Sequence, residues 1–101
     1  MQTEAQEPGT VRVAAVQFGA GFDEDENLAT CLRMIDTAAA QKPQLIVLPE
    51  FLNHASWWRD EAHSYSVAVA IDGPFLAAIA AKAAEHDCYI MANCTVRRRN
   101  N

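Results

Sequence analysis

Few side chains in this 101-residue sequence are able to break a bond: three cysteines, three histidines, Lys42 and Lys82, and a carboxylate, Glu50, set apart from the other acids by its position. Glu50 follows the wholly apolar run Leu45 to Leu48 and then Pro49. Four branched apolar residues are too few for a helix and read as a buried strand, which Pro49 stops. An acid there stands at the rim of an apolar sheet, where partial loss of water raises its proton affinity and suits it to general-base work. A solvated acid in an ordinary strand-to-helix loop is the plainer alternative.

His54, Trp57 and Trp58 follow closely in FLNHASWWRD. His54 and Trp57 are placed to line the entrance of a substrate pocket, although large rings near a rim also serve core or subunit packing. Neither the pairing of His54 with His63 nor that of His63 with His86 has the i, i+4 spacing with a neighbouring Glu that a zinc helix uses, so no metal site is expected. Cys88 and Cys94 lie six residues apart in a stretch that reads as one strand. That spacing separates them by about 20 Å, too far for a disulfide. With Cys31 they are expected to be reduced, mostly buried thiols in a reducing compartment.

The elements that must position these groups follow from changes of apolar period. Val11 to Phe18 (VRVAAVQF) is apolar on both faces apart from Arg12 and Gln17, as in a strand covered on two sides, and Gly19 and Gly21 end it. Asp23 with Glu26 resembles a capping box, and Leu28, Cys31, Leu32, Ile35 and Ala39 then form one stripe on a helix that Pro43 ends. Ser56 is a candidate cap for a second helix with Trp58, Ala62, Tyr65 and Val69 on one face. Asp72-Gly73-Pro74 starts a third, striped by Leu76, Ile79, Ala80 and Ala83 and running to about His86. Cys88 to Val96 (CYIMANCTV) reads as the next strand. Strand, helix, strand, helix, strand with short connections predicts parallel strands and an α/β layer. Three strands make an incomplete sheet, so the sequence reads as the opening portion of a larger domain, with residues 1–10 a flexible leader and 11–101 the folded part.

Composition narrows the classes of function. Eight Lys and Arg against thirteen Asp and Glu leave a formal charge of −5, which argues against nonspecific nucleic-acid binding. The single basic run, Arg97-Arg98-Arg99, has no interleaved aromatics and reads as a solvated strand end or loop. The longest apolar stretch, Phe75 to Ala81, is far short of the roughly 20 residues a membrane span requires. The polar N-terminus lacks the basic-then-apolar order of a secretory signal, so a cytoplasmic protein is expected. Nineteen of the apolar residues are alanine, so the core is modest and its faces need more chain, or a partner, to cover them.

Taken together, VRVAAVQ at Val11 to Gln17, the helix carrying Asn27, LIVLPEF at Leu45 to Phe51, DGP at Asp72 to Pro74 and the closing CYIMANCTV resemble the nitrilase superfamily of carbon–nitrogen hydrolases over Val11 to Arg99. The resemblance implies a four-layer αββα sandwich, a cofactor-independent Glu-Lys-Cys triad, a small-molecule amide, carbamoyl or nitrile substrate, and a homo-oligomer. Only the glutamate carries over, onto Glu50. The family's lysine and nucleophilic cysteine belong to later strands, and neither Lys42 before Pro43 nor Lys82 inside a helix stands where that lysine would. Cys88 is followed by Tyr89 but then by Ile90, where the family's nucleophile has an acid, so a structural thiol is expected at Cys88 and at Cys94. Two other readings stay open. One is a noncatalytic relative that acts as an assembly module through its apolar sheet face and tryptophans. The other is a flavodoxin-like binding domain, against which stands the short Gly19-Ala20-Gly21-Phe22 turn with acids after it.

Overall fold

In the computed structural model, which describes residues 8–98, Val13–Ala15 (β1), Leu45–Val47 (β2) and Tyr89–Met91 (β4) form a parallel three-stranded sheet in the order β1-β2-β4. The registers align Ala14 with Ile46 and Ile46 with Ile90. Between these strands run the helices Glu24–Ala39 (α1), Glu61–Val67 (α2) and Pro74–His86 (α3). The chain therefore has the α/β organisation of parallel strands alternating with helices, consistent with part of a nitrilase-like αββα fold. Of the expected leader, residues 1–7 lie outside the described residues, as does Arg99.

The cap of α1 forms as expected. Asp23 Oδ1 accepts the Glu26 amide at 3.1 Å, with three acids in the first turn. Its stripe turns Cys31 and Ile35 fully inward. The helix ends at Ala39, and Lys42, with a φ of 53°, reverses the chain before Pro43. At the start of α3, an added Cβ on Gly73 would lie 3.1 Å from the Ala70 Cβ, tighter than an ordinary contact, so a larger residue here requires Ala70 to give way. Phe75 and Ile79 are the buried residues of α3, while Ala80, expected on the inner stripe, faces solvent. The apolar cluster joins Ile35 of α1, Ile46 of β2 and Ile79 of α3 around one centre. Across the helix pair, Lys82 and His86 of α3 reach Asp36 of α1 at 2.9 and 2.7 Å. These side chains are partly exposed, and pairs of that kind contribute little to stability.

Three expectations are corrected. The second helix begins at Glu61, not after Ser56, because Asp60 is the residue in extended conformation whose Oδ1 accepts an amide, that of His63, at 2.7 Å. This helix buries none of its residues, and Val69 leaves it to form a short strand, Val69–Ala70 (β3). The stretch from Cys88 to Val96 is not one strand: after β4 the chain departs at Ala92 and resumes as Val96–Arg97 (β5), which pairs in parallel with β3 in a second, two-stranded sheet. The break falls where side-chain and loop partners replace the ladder, since Asn93 O accepts the Leu52 amide and the Thr95 amide donates to Asn53 Oδ1. Finally, the strands are covered on one side alone among the described residues. Ala14, Ile46 and Ile90 pack inward under the helices, whereas Val13, Met91 and Tyr89 are 51, 57 and 80% exposed.

Candidate active site

The carboxyl ends of β1 and β2 open into a cleft of about 560 Å³ lined by Gln17 to Ala20 after β1 and by Leu48 to Phe51, Ala55 and Ser56 after β2. Such crevices arise because connections leave the strand ends in different directions. Glu50 lies within this lining and is exposed. It makes no hydrogen bond or ion pair with the described residues, so the water-poor surroundings expected for it are not supplied by this part of the chain.

The next residue, Phe51, adopts a φ of 55°, a left-handed conformation that costs a bulky residue about 1–2 kcal/mol. It turns the chain sharply after Glu50 and sends Leu52 into the core, where the side chain is fully buried and the amide donates to Asn93 O at 3.0 Å. Two buried asparagines close the arrangement. Asn27 Nδ2 donates to Gly21 O at 3.0 Å and to Asn53 O at 2.9 Å, and its Oδ1 accepts the Gly21 amide at 2.8 Å. Asn53 Nδ2 donates to Val67 O at 3.0 Å, and its Oδ1 accepts the Thr95 amide at 3.1 Å. The Ala55 amide adds a bond to Gly21 O at 2.9 Å.

His54 and Trp57 stand beside the cleft and are not among its lining residues. His54 is 6% exposed, with Nδ1 2.8 Å from Ala55 O, a contact that only a protonated Nδ1 satisfies. Its ring stacks on Trp58 at 6.4 Å and meets the edges of Phe22 and His63 at 5.3 and 5.6 Å. Trp57 is 56% exposed and touches the rings of Phe22 and His63. Trp58 meets Phe51 at 5.7 Å, and so connects the aromatic cluster to a cleft residue. Its Nε1 is buried without a hydrogen-bond partner among the described residues.

Among the described residues, no lysine or cysteine lines this cleft. Lys82 is engaged with Asp36 and Glu85, and its affinity for protons is raised chiefly by the hydrogen bond to Asp36. The three thiols are free. Burial, joined at Cys31 by the neighbouring Cys94, pushes those of Cys31 and Cys94 up to about 11. They are protonated and poorly nucleophilic at neutral pH. Asp36, Glu85 and His86 bring three potential metal-binding atoms within 4.8 Å of one another, but the Lys82 ammonium stands 2.9 Å from Asp36 and supplies the positive charge there. Of the basic run, Arg97 Nη1 donates to Ala68 O at 2.8 Å, tying β5 to the end of α2.

Sequence reasoning named Glu50 but passed over Gln17 and Ser56 in the lining, and the buried Asn53. Gln17 gave a faint signal, as the polar residue at the end of an otherwise apolar strand. Asn53 gave none, since a polar residue between Leu52 and His54 is unremarkable until its burial is seen. The family model for carbon-nitrogen hydrolases matches residues 12–101, nearly the entire chain. The chain therefore belongs to the carbon–nitrogen hydrolase family.

Proposed function

We propose that Glu50 is the general acid/base of a hydrolase acting on non-peptide carbon–nitrogen bonds, of the amide, carbamoyl or nitrile kind. The observation that carries this reading is the place of Glu50: a carboxylate with no partner among the described residues, in the lining of a cleft at a strand's carboxyl end, in a chain of this family. The chemistry follows from the triad that the family resemblance implies. Glu50 takes a proton from a thiol supplied by later chain, so that the thiolate attacks the substrate carbon. It then delivers that proton to the departing nitrogen and finally activates the water that hydrolyses the thioester. A lysine, also from later chain, stabilises the oxyanion of the tetrahedral intermediate. His54 and Trp57 contribute from beside the cleft, through the aromatic cluster that abuts Phe51. The intact protein is cytoplasmic and assembles as a homo-oligomer, and residues 1–101 alone are inactive.

In the complete protein, Glu50→Gln should lower turnover of an amide substrate by orders of magnitude with the circular-dichroism spectrum unchanged; a variant of near wild-type rate would discredit the role. The exposed apolar face at Val13, Met91 and Tyr89 favours a second reading, an assembly module without catalysis. Native mass measurement separates the two: a stable 101-residue species in cells favours the module, and a longer chain favours the hydrolase.

A further inference from the structure

Resting on the role of Glu50 proposed above, we infer that Asn27 and Asn53 are positioning residues for that carboxylate, acting through the segment that follows it. Glu50 makes no hydrogen bond or ion pair with the described residues, so its location depends on what holds Phe51, Leu52 and Asn53. Four separate parts of the chain are tied to that segment by two amides. Asn27, on α1, grips the turn after β1 through both bonds to Gly21 and grips the segment itself through Asn53 O. Asn53 reaches the end of α2 at Val67 O and the link between β4 and β5 at the Thr95 amide. Both side chains are at least 95% buried, at 5 and 1% exposure, and every bond runs to backbone at a loop or element end.

An apolar residue would fill the same space and aim nothing. An amide presents donors and an acceptor in fixed directions, and its burial without them is costly, so it admits one arrangement of the surrounding loops. That arrangement includes the left-handed Phe51, a conformation that persists only where neighbours over-determine it. Displacement of a reacting group by about 1 Å costs about 100-fold in rate, so loosening this tether should appear in turnover before it appears in substrate binding.

The test uses the full-length protein and an amide substrate, with Asn27→Asp and Asn53→Asp, which keep size and an accepting oxygen but lose the donating nitrogen. Ile79→Ala, a buried apolar change on α3 that removes none of these hydrogen bonds, serves as a control for lost stability. Glu50→Gln is run beside them. The expected result is that each asparagine variant, folded at the assay temperature, loses about 10-fold or more in kcat with KM within about threefold, while Ile79→Ala keeps kcat within about twofold. Folded asparagine variants with wild-type kcat overturn the inference while Glu50→Gln is inactive. Activity losses that follow Tm as they do for Ile79→Ala overturn it too, as does complete unfolding of both asparagine variants where Ile79→Ala stays folded. A fully active Glu50→Gln removes the role of Glu50 itself and the inference with it.

Discussion

The two faces of the three-stranded sheet are made of similar residues and have opposite fates. On one, Ile46 is completely buried beneath α1 and α3, and Val16 and Leu48 continue the same surface. On the other, Val13, Met91 and Tyr89 stand in solvent although their side chains are as apolar as those of the buried face. A strand alternates its side chains between faces, so a sequence apolar at every position announces two coverings. The described residues provide one. The difference teaches that the apolar pattern of this sheet fits a sandwich, of which the described residues form one side.

The largest effect should separate the faces. Ile46→Ala is expected to cost about 2–5 kcal/mol in urea unfolding of the 101-residue chain, whereas Met91→Ala should stay within about 0.5 kcal/mol. Equal costs would break the contrast; a much larger cost for Met91→Ala in a chain that carries the second sheet would sharpen it. Next comes the buried side at high pH. The folded state holds the thiol protons of Cys31 and Cys94 up to about 11, so stability is complete below the usual thiol range and falls as the pH climbs toward that value. Denaturant midpoints at pH 8 and pH 10.5 measure the decline, which Cys31→Ala with Cys94→Ala should flatten.

Smaller still is the cap of the helix that covers the sheet. Asp23→Ala should cost about 1 kcal/mol, read from the same denaturation curve. The smallest effect is expected at the helix pair. Hydrogen bonds from His86 and Lys82 hold the Asp36 carboxyl below the usual carboxylate range, so their contribution is present above that range and vanishes as the pH falls through the lowered value. Comparing the acid limb of Tm for the wild type with that of Asp36→Asn isolates it.

Much of this architecture was legible in residue order. The α1 cap at Asp23, the strand at Leu45, the helix start at Pro74 and the location of Glu50 follow from local signals that the tertiary structure did not oppose. What stayed hidden depends on partners distant in sequence. The division of Cys88 to Val96 between two sheets is decided by Leu52 and Asn53, some forty residues upstream, and periodicity within the stretch carries no trace of them. The displaced start of α2 has a different origin: Ser56 and Asp60 both have capping side chains, and the choice fell to the one whose backbone is extended just before Glu61. The exposure of Glu50 among the described residues was not legible, because adjacency to an apolar strand says nothing about what roofs the strand's end.

The left-handed elbow at Phe51 also constrains how this protein is able to vary. Glycine, asparagine or aspartate would adopt that backbone more comfortably, yet each would surrender the ring that meets Trp58 and joins the aromatic wall to the cleft. Position 51 is thus caught between two demands, ease of bending and breadth of side chain, and a Phe51→Gly protein should fold around a relaxed turn while its pocket loses a wall.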